Sequence, residues 1–208
     1  MIIQPIVEGH GEVAAVPVLL RRFQQELGAY HFQIARPIRR KRSELVTEEQ
    51  LRRSVRLALG IPECSGILIL FDSDDDCPAV LGPQIQRWAQ IEARAIPCEV
   101  VLAHREYEAW FLSALESLRN FGGIKPDAIS HSAPETIRNC KGALEHYMIV
   151  GDSYSPTVDQ ADFTSRFDVA RAYRTCRSFR RITTAFENLV RATGHEIEIW
   201  PPNHWQQS

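Results

Sequence analysis

The first half of the chain alternates apolar runs with amphipathic stretches. Four runs have the character of buried strands: residues 2–7, 31–38, 66–71 and 98–103. Three stretches between them repeat apolar side chains at helical spacing: residues 12–27, 47–59 and 80–95. Continuous apolar strands are typical of parallel sheets that are covered on both faces. The alternation therefore predicts a doubly wound α/β fold with a mainly parallel sheet.

The pattern changes after about residue 105. Helices are predicted at 106–119, 134–148, 159–173 and 178–193, and a short strand at 195–200. Trp110 and Phe111 fall on the apolar face of the first of these helices, which favours a core position for both. We expect residues 1–105 to form an α/β core and residues 106–208 a helical C-terminal extension packed on that core.

One helix start carries a local signal. Thr47 precedes the predicted helix that ends near Leu59, and Gln50 follows Thr47 by three residues. This spacing predicts a capping box, in which the two side chains bond each other's backbone N–H groups.

Composition and cysteine spacing restrict the class of protein. Hydrophobic residues make up 44% and charged residues 24%, which is ordinary for a globular chain. No apolar stretch approaches the roughly 20 residues of a membrane span, and the first residues lack the basic region of a signal peptide. The five cysteines are widely spaced without a CxxC pair, which favours free thiols in a cytoplasm.

Positive charge is concentrated in two zones, although the net charge is only −2. All but three of the 24 basic residues are arginines, and segments 36–56 and 166–191 each carry a local net charge of +5. Arginine forks bind phosphate oxygens bidentately, so these zones could hold a polyanion. They could equally be solvated helix faces.

Acidic side chains follow the predicted strands. Glu8 comes directly after the first strand, Asp72 and Asp74 after the strand at 66–71, and Glu108 shortly after the strand at 98–103. Parallel strands end at one edge of a sheet, where carboxylates repel one another unless a cation lies between them. A hard divalent cation, which prefers oxygen ligands, would compensate the repulsion between these carboxylates. Such a cation site indicates phosphate-ester chemistry. An acidic turn that only caps the next helix is the alternative, worth about 0.3–1 kcal/mol per residue.

These motifs resemble known families. A strand ending in Glu-Gly-x-x-Glu (Glu8 to Glu12), followed by a later strand with Asp-x-Asp (Asp72 to Asp74), is similar to the Toprim domain of topoisomerases, bacterial primases and OLD-family nucleases. Over most of its length the chain resembles the Toprim-like family DUF4276. The further motifs of that family are Glu-x-Trp-Phe (Glu108 to Phe111) and Ser-Phe-Arg (Ser178 to Arg180). The resemblance implies a Toprim/Rossmann-like core over residues 1–105.

The resemblance also implies Mg²⁺-dependent cleavage of phosphodiesters in DNA or RNA, with Mn²⁺ as a substitute. Glu8 would be a general acid/base or metal ligand, and Asp72 and Asp74 would be metal ligands. Glu12 and Glu108 are candidates for a second metal position, although each could simply be the first-turn acid of a helix. Asp75 and Asp76 in the same turn are not expected to be primary ligands.

Basic and histidine side chains complete the candidate set. A phosphodiester transition state needs a cation near the leaving oxygen. Lys141 and Arg180, with Arg177 beside it, are the candidates for this role. His10 and His104 lie close to the acids in sequence, where either could bind metal, carry a proton or be incidental.

Other functions remain open. A haloacid-dehalogenase-like phosphatase also uses Asp-x-Asp after a strand, but it expects Thr or Val where this chain has Asp76. Nucleotide-sugar transferases use Asp-x-Asp with metal but would not explain Glu8. A non-catalytic Toprim-like binding subunit is the main alternative. The resemblance implies an ABC-type or AAA-type ATPase partner in phage defence, and the chain has no GxxxxGK[ST] loop of its own.

Overall fold

The computed structural model of the chain describes residues 1–207 and is organised around a parallel sheet. The strand order is β2-β1-β4-β5, and β3 also pairs with β1. The strands are β1 (Ile2–Val7), β2 (Gln33–Ile34), β3 (Ile38–Arg39), β4 (Cys64–Asp72) and β5 (Cys98–Ala103). Every strand pairing is parallel, so the carboxyl ends of all strands lie at one edge of the sheet.

The strand predicted at 31–38 is interrupted. It forms two short pieces, β2 and β3, which pair with the first and last residues of β1. Pro5 lies in β1 and Pro37 lies between β2 and β3, and neither proline has a backbone N–H group to donate there. The buried Gln4 amide bridges the gap by donating to the carbonyls of Pro5 and Arg36 at 2.9 Å each. A side chain therefore replaces the missing backbone ladder.

Helices cover both faces of the sheet. They are α1 (Glu12–Leu27), α2 (Arg42–Leu45), α3 (Glu48–Leu59), α4 (Pro78–Ala93), α5 (Glu108–Leu112), α6 (Cys140–Glu145), α7 (Pro156–Arg166), α8 (Val169–Thr175), α9 (Arg177–Ala192) and α10 (Asn203–Gln206). Apolar side chains of α1 and α9 pack on one face, and those of α3 and α4 on the other. The predicted doubly wound α/β fold is confirmed. None of the helices in residues 1–207 is long and apolar enough to cross a membrane.

The alternation of side chains along β4 explains its continuous apolar run. Leu68 and Leu70 belong to the core on the α1 and α9 side, whereas Ile67, Ile69 and Phe71 belong to the core on the α3 and α4 side. Both sets are completely buried. Because successive strand residues point to opposite faces, a strand between two helical layers needs apolar residues at every position.

The second half of the chain supplies part of the sheet's covering layer. Helix α9 packs on β4 and β5. A Cβ atom on Gly66 would lie only 3.1 Å from the Leu189 Cδ2 atom, so glycine allows α9 to approach β4 closely. Helix α1 in turn packs against α7. This arrangement holds α7 next to the carboxyl end of β1.

Several predicted elements differ from the structure. Residues 195–200 form no strand, because Trp200 packs on Phe23 and donates its indole N–H to the Thr183 carbonyl instead. The predicted helix at 159–173 is two helices, since Asp168 accepts the Arg171 N–H and starts α8.

Other predicted helices are shorter or lack their predicted cap. Helix 134–148 reduces to α6, preceded by a single 3₁₀ turn at Pro134–Thr136. Helix 106–119 is α5 followed by the 3₁₀ turn Leu115–Leu118. Thr47 does precede α3, but the capping box is absent because the Thr47 hydroxyl donates to the Ser43 carbonyl at 2.7 Å.

Candidate functional site

The carboxyl edge of the sheet brings acidic side chains from three strand ends together. Glu8 follows β1, Asp72 is the last residue of β4, and Glu106 and Glu108 follow β5. Glu12 opens α1 beside them. These five residues are called the carboxylate cluster below.

Lys141 lies among the acids of this cluster. Its Nζ atom is 3.5 Å from Asp72 Oδ2, 3.6 Å from Glu108 Oε2 and 3.8 Å from Glu106 Oε2. Burial disfavours its charge, but Glu108, Asp72 and Glu106 together raise the pKa of Lys141. The ammonium is therefore held in its charged form, at a position shared by three carboxylates.

Glu106 fixes the backbone that carries Lys141. Its Oε2 atom accepts the Lys141 N–H at 2.9 Å. Asn139 accepts the Gly142 N–H at 2.9 Å and starts α6. These two bonds anchor the short helix over the end of β5.

Asp72 and Glu108 each accept hydrogen bonds from the protein through one carboxylate oxygen. Asp72 Oδ1 accepts the Tyr107 N–H at 2.9 Å. Glu108 is completely buried, and its Oε1 atom accepts the Tyr154 hydroxyl at 2.9 Å and the Gln160 amide at 3.2 Å. Glu108 Oε2 has no hydrogen-bond partner within residues 1–207. One oxygen of each acid thus faces Lys141 while the other is fixed by the fold.

Gly11 allows α7 to reach this site. A Cβ atom at Gly11 would collide with the Pro156 carbonyl and with Gln160. Any residue other than glycine would push α7 away, and with it the Gln160 amide that holds Glu108. The second glycine of the Glu8 to Glu12 motif therefore has a packing role.

Glu12 closes the turn that follows β1. Its Oε2 atom accepts the N–H groups of Glu8 and Gly9 at 3.0 Å each. Burial, with Glu108 and Glu8 nearby, raises the pKa of Glu12 to about 7, although the two N–H groups oppose this rise. Glu12 is thus both a support for the Glu8 backbone and a member of the cluster.

The pKa values of three other acids are raised as well. Burial, then Glu12 and Glu108, raise the pKa of Asp72 well above its ordinary value. Burial also raises the pKa of Glu108 and, together with Asp74, that of Glu8. Glu8, Glu12, Asp72 and Glu108 lie near a single ammonium, and their mutual repulsion opposes the ionisation of all four at once.

Asp74 has a different partner from Asp72. The strand ends at Asp72, and Asp74 adopts a left-handed backbone with φ of 49°. Its Oδ2 atom is 3.2 Å from Arg42 Nε. It also raises the pKa of Glu8 as the second cause after burial. Asp74 therefore lies on the Glu8 side of the site, beside Arg42.

Arginines brace the acidic turn. Arg42 donates to the carbonyls of Asp72 at 2.9 Å and Ser73 at 3.3 Å, and it pairs with Asp76. Arg105, itself left-handed with φ of 68°, donates to Asp75 Oδ1 at 2.7 Å. Left-handed backbone at a residue other than glycine costs about 1–3 kcal/mol and is concentrated at functional sites.

Three predicted site groups make no hydrogen bond or ion pair with the cluster within residues 1–207: Arg180, His104 and His10. Arg180 donates to the carbonyls of Tyr173 and Arg174 at 2.8 and 3.0 Å, which closes the end of α8. His104 Nδ1 is 3.9 Å from Glu135 Oε2, and Glu135 also accepts the N–H groups of Arg177 and Ser178. His10 is exposed in the glycine turn. No hydrogen bond or ion pair within residues 1–207 links Arg180 to the carboxylate cluster.

Sequence reasoning assigned no site role to four residues that contact the cluster or belong to it. Glu106 could have been recognised from the sequence, because it lies between the end of β5 and Glu108. Tyr107, Tyr154 and Gln160 gave no such signal, since aromatic and amide residues of helices and loops are usually packing or surface residues. Their contacts with Asp72 and Glu108 appear only in the folded chain.

Comparison with known proteins identifies the family. The family model DUF4276, described as a domain of unknown function, matches residues 7–187. The chain belongs to the DUF4276 family. The predicted membership is confirmed, and the match spans the strand-end acids, α6 and most of α9. Neither the curated proteins nor the solved structures contain a match to this DUF4276 protein.

The donor set of the site suits Mg²⁺. Within residues 1–207, no three His, Cys, Asp or Glu side chains are already arranged around one metal position. The cluster nevertheless offers carboxylate oxygens, the ligands that Mg²⁺ prefers. Glu8 Oε2 and Glu108 Oε2 are buried without hydrogen-bond partners in the described residues. Buried oxygens without a hydrogen-bond donor are costly, and a cation closer than the Lys141 ammonium, which is 3.6 Å from Glu108 Oε2, would satisfy them.

Proposed function

We propose that this DUF4276 protein hydrolyses phosphodiester bonds of nucleic acid with the help of Mg²⁺. One observation carries the proposal: acids from the ends of β4 and β5 surround a single ammonium, and the buried Glu8 Oε2 and Glu108 Oε2 atoms accept no hydrogen bond within residues 1–207. Buried charges in proteins are normally paired with an opposite charge or coordinate a metal. Several carboxyl groups whose joint ionisation is disfavoured without a further cation are expected at a site that receives a divalent cation.

The ligand set follows from the free oxygens. Asp72 and Glu108 each direct one oxygen toward Lys141, and Glu106 lies beside them. These residues would hold the ion, and Glu8 and Asp74 would lie near it, beside Arg42. When bound, Mg²⁺ would polarise the phosphoryl oxygens and lower the pKa of a bound water molecule.

Glu8 and Lys141 take the acid and cation roles in this proposal. In the hydrolysis, a water oxygen forms a bond to phosphorus, and the phosphorus–oxygen bond of the leaving alcohol breaks. The water gives up its proton to solvent, and the leaving oxygen takes one from Glu8. The raised pKa of Glu8 favours the protonated acid that this step needs. Lys141 compensates charge on the phosphoryl group.

We also propose a compartment, a substrate class and a partner for this activity. All five cysteines are free, which supports the reducing cytoplasm expected from the sequence. The resemblance to Toprim nucleases supports a nucleic-acid substrate. We propose an ATPase partner in a defence system, which the family resemblance implies. The chain has no GxxxxGK[ST] loop, so any nucleotide hydrolysis would be carried out by that partner.

A calorimetric titration with Mn²⁺ at neutral pH tests the cation site. The wild-type protein should bind Mn²⁺, and Asp72→Asn should abolish binding because it removes one oxygen ligand and one charge. The matched control is Asp75→Asn, in the same turn, whose carboxylate pairs with Arg105 and Arg138. Equal binding by all three proteins, or none by the wild type, would refute the cation site.

A cleavage assay tests the chemistry. Labelled DNA and RNA are incubated with Mg²⁺ or Mn²⁺, with and without candidate ATPases. Wild-type protein and Asp75→Asn should cleave, whereas Asp72→Asn and Glu8→Gln should lose at least about 100-fold in rate, the usual effect of removing a general acid. Full cleavage by Asp72→Asn would contradict the assignment.

A non-catalytic binding subunit is the second candidate function. The observation that favours it is the position of Lys141, which already lies between the acids as an internal counter-ion. Under this alternative the wild type binds no Mn²⁺, and Lys141 is required for folding alone. The two functions therefore differ in the first titration.

A further inference from the structure

The two arginine-rich zones differ in how many of their side chains have partners within the protein. In the zone at 166–191, most arginines are engaged within the protein. Arg171, Arg181 and Arg191 pair with carboxylates, Arg174 and Arg180 donate to backbone carbonyls, and Arg166 lies over the Phe121 ring. This zone is therefore largely a structural feature.

The zone at 36–56 keeps a run of unpaired cations. Arg36, Arg39, Arg40 and Lys41 form no ion pair with a carboxylate in the part of the chain from 1 to 207. Arg36, Arg39 and Lys41 are exposed. The other four cations of the zone all have acidic partners: Arg42, Arg52, Arg53 and Arg56.

These unpaired cations lie beside the carboxylate cluster. Arg39 pairs with Val7 across the β3–β1 ladder, and the Arg40 N–H donates to the Val7 carbonyl at 2.8 Å. Val7 directly precedes Glu8. The run from Arg39 to Lys41 therefore leaves the sheet at the same edge as the candidate metal site.

The basic run leads into a cavity of about 400 Å³ between the end of β3, α2 and α3. Three arginines line it, together with Glu44, Gln50, Ser54 and Leu57. Arg53 and Arg56 pair with Glu49 and Glu92, and Arg40 has no carboxylate partner within residues 1–207. The Arg40 Nε–H group is buried and has no hydrogen-bond partner within the described residues. An unpaired guanidinium donor in an arginine-lined cavity is suited to an anionic oxygen.

We propose that this cavity, with Arg39 and Lys41, binds backbone phosphates of the nucleic-acid strand whose phosphodiester enters the carboxylate cluster. The proposal rests on the proposed function, because the strand is the substrate of that site. No aromatic side chain lines the cavity, so its side chains would bind the phosphate groups of the strand and would not stack on its bases. Binding is therefore independent of sequence and falls steeply with salt.

Fluorescence anisotropy with a labelled oligonucleotide tests this surface, with DNA and RNA of one sequence as separate arms. The measurement is made in EDTA, so that it depends on neither metal nor cleavage. The double variant Arg40→Gln/Lys41→Gln, which removes two cations without a carboxylate partner, should weaken binding about tenfold and reduce the slope of log affinity against log salt by about 2. The variant Arg39→Gln/Lys41→Gln, which changes only exposed side chains, should do the same.

The matched control is Arg181→Gln/Arg191→Gln on α9, which removes the same charge from two ion-paired arginines on the other face of the sheet. It should leave affinity within about twofold of the wild type, and thermal melting confirms that each variant is folded. Equal loss in the control, no loss in either cavity variant, or no binding by the wild type would each overturn the proposal. Asp72→Asn should bind normally, so that failure of the catalytic site is distinguished from failure of this surface.

Discussion

At the scale of single residues, the site is dominated by one lysine and the acids around it. Lys141 Nζ is within 3.8 Å of three carboxylates and is 40% exposed. A side-chain ammonium and a bound cation would compete for the same oxygens. The charge of Lys141 should therefore oppose metal binding even as it stabilises the metal-free protein.

Replacing Lys141 tests this competition. Lys141→Met should raise the affinity for Mn²⁺, because a positive charge beside the ligands is removed, and should destabilise the metal-free protein by about 1–3 kcal/mol, between the values for exposed and buried ion pairs. Calorimetry and thermal melting in EDTA measure the two effects. Lys125→Met is the control, since Lys125 Nζ only donates to the His146 carbonyl. Unchanged Mn²⁺ affinity in Lys141→Met would show that the lysine does not share the cation position.

Glu12 predicts how stability depends on pH. Its pKa is about 7 in the folded chain, against an ordinary value of 4.5. A raised folded pKa contributes stability that is complete below about pH 4.5 and is lost as the pH rises through about 7. Glu12→Gln, which can still accept the Glu8 and Gly9 N–H groups, should be more stable than the wild type at pH 8 by about 1–3 kcal/mol.

Thermal or chemical unfolding in EDTA between pH 5 and pH 8 measures this difference. The two proteins should converge in stability toward pH 5, where Glu12 of the wild type is largely protonated. A constant difference across the range would show that Glu12 does not titrate there.

At the scale of elements, the turn from β4 to α4 depends on an arginine from α2. Arg42 donates to the carbonyls of Asp72 and Ser73 and pairs with Asp74. It reaches the turn across about 30 residues of sequence. The acidic turn therefore owes its shape to a neighbouring element and not to its own residues.

Removing this brace should loosen the turn. Arg42→Met leaves two backbone carbonyls and two carboxylates without their donor, so we expect a loss of about 2 kcal/mol in the free energy of unfolding. Arg53→Met is the control, because Arg53 pairs only with the exposed Glu49 on its own helix and should cost less than about 0.5 kcal/mol. Urea unfolding compares them, and equal losses would deny Arg42 a special role.

At the scale of the whole molecule, one apolar core joins the two halves of the chain. Phe23 of α1 contacts Phe179 and Phe186 of α9 at ring distances of 5.9 and 5.4 Å, and Trp205 of α10 at 5.8 Å. These rings are completely or almost completely buried. The helical second half and the sheet should therefore unfold as one unit.

Truncating one core ring tests this unity. Phe186→Ala should lower the free energy of unfolding by about 3–5 kcal/mol and shift a single transition observed both by circular dichroism and by tryptophan fluorescence. Val158→Ala, at a site that is 69% exposed, should have little effect. Two separate transitions, only one of them shifted by Phe186→Ala, would show that the halves fold independently.

The sequence determined the parts of the fold that local pattern controls. The bounds of β1, β5 and α1 agree with the predicted segments 2–7, 98–103 and 12–27, and β4 and α9 agree to within two residues at each end. Apolar periodicity is strong in these elements because each is buried against a neighbour. The carboxyl ends of these strands then located Glu8, Asp72 and Glu108, because parallel strands end at one edge.

Only the tertiary structure decided which distant residues complete the site. Lys141 meets Asp72 and Glu108, Tyr154 and Gln160 hold Glu108, and Arg180 instead closes α8. These contacts depend on how the irregular segments after β5 fold back over the sheet, and no local periodicity encodes that path. Sequence pattern fixes where backbone hydrogen bonds repeat, whereas long-range packing fixes which side chains meet between the elements.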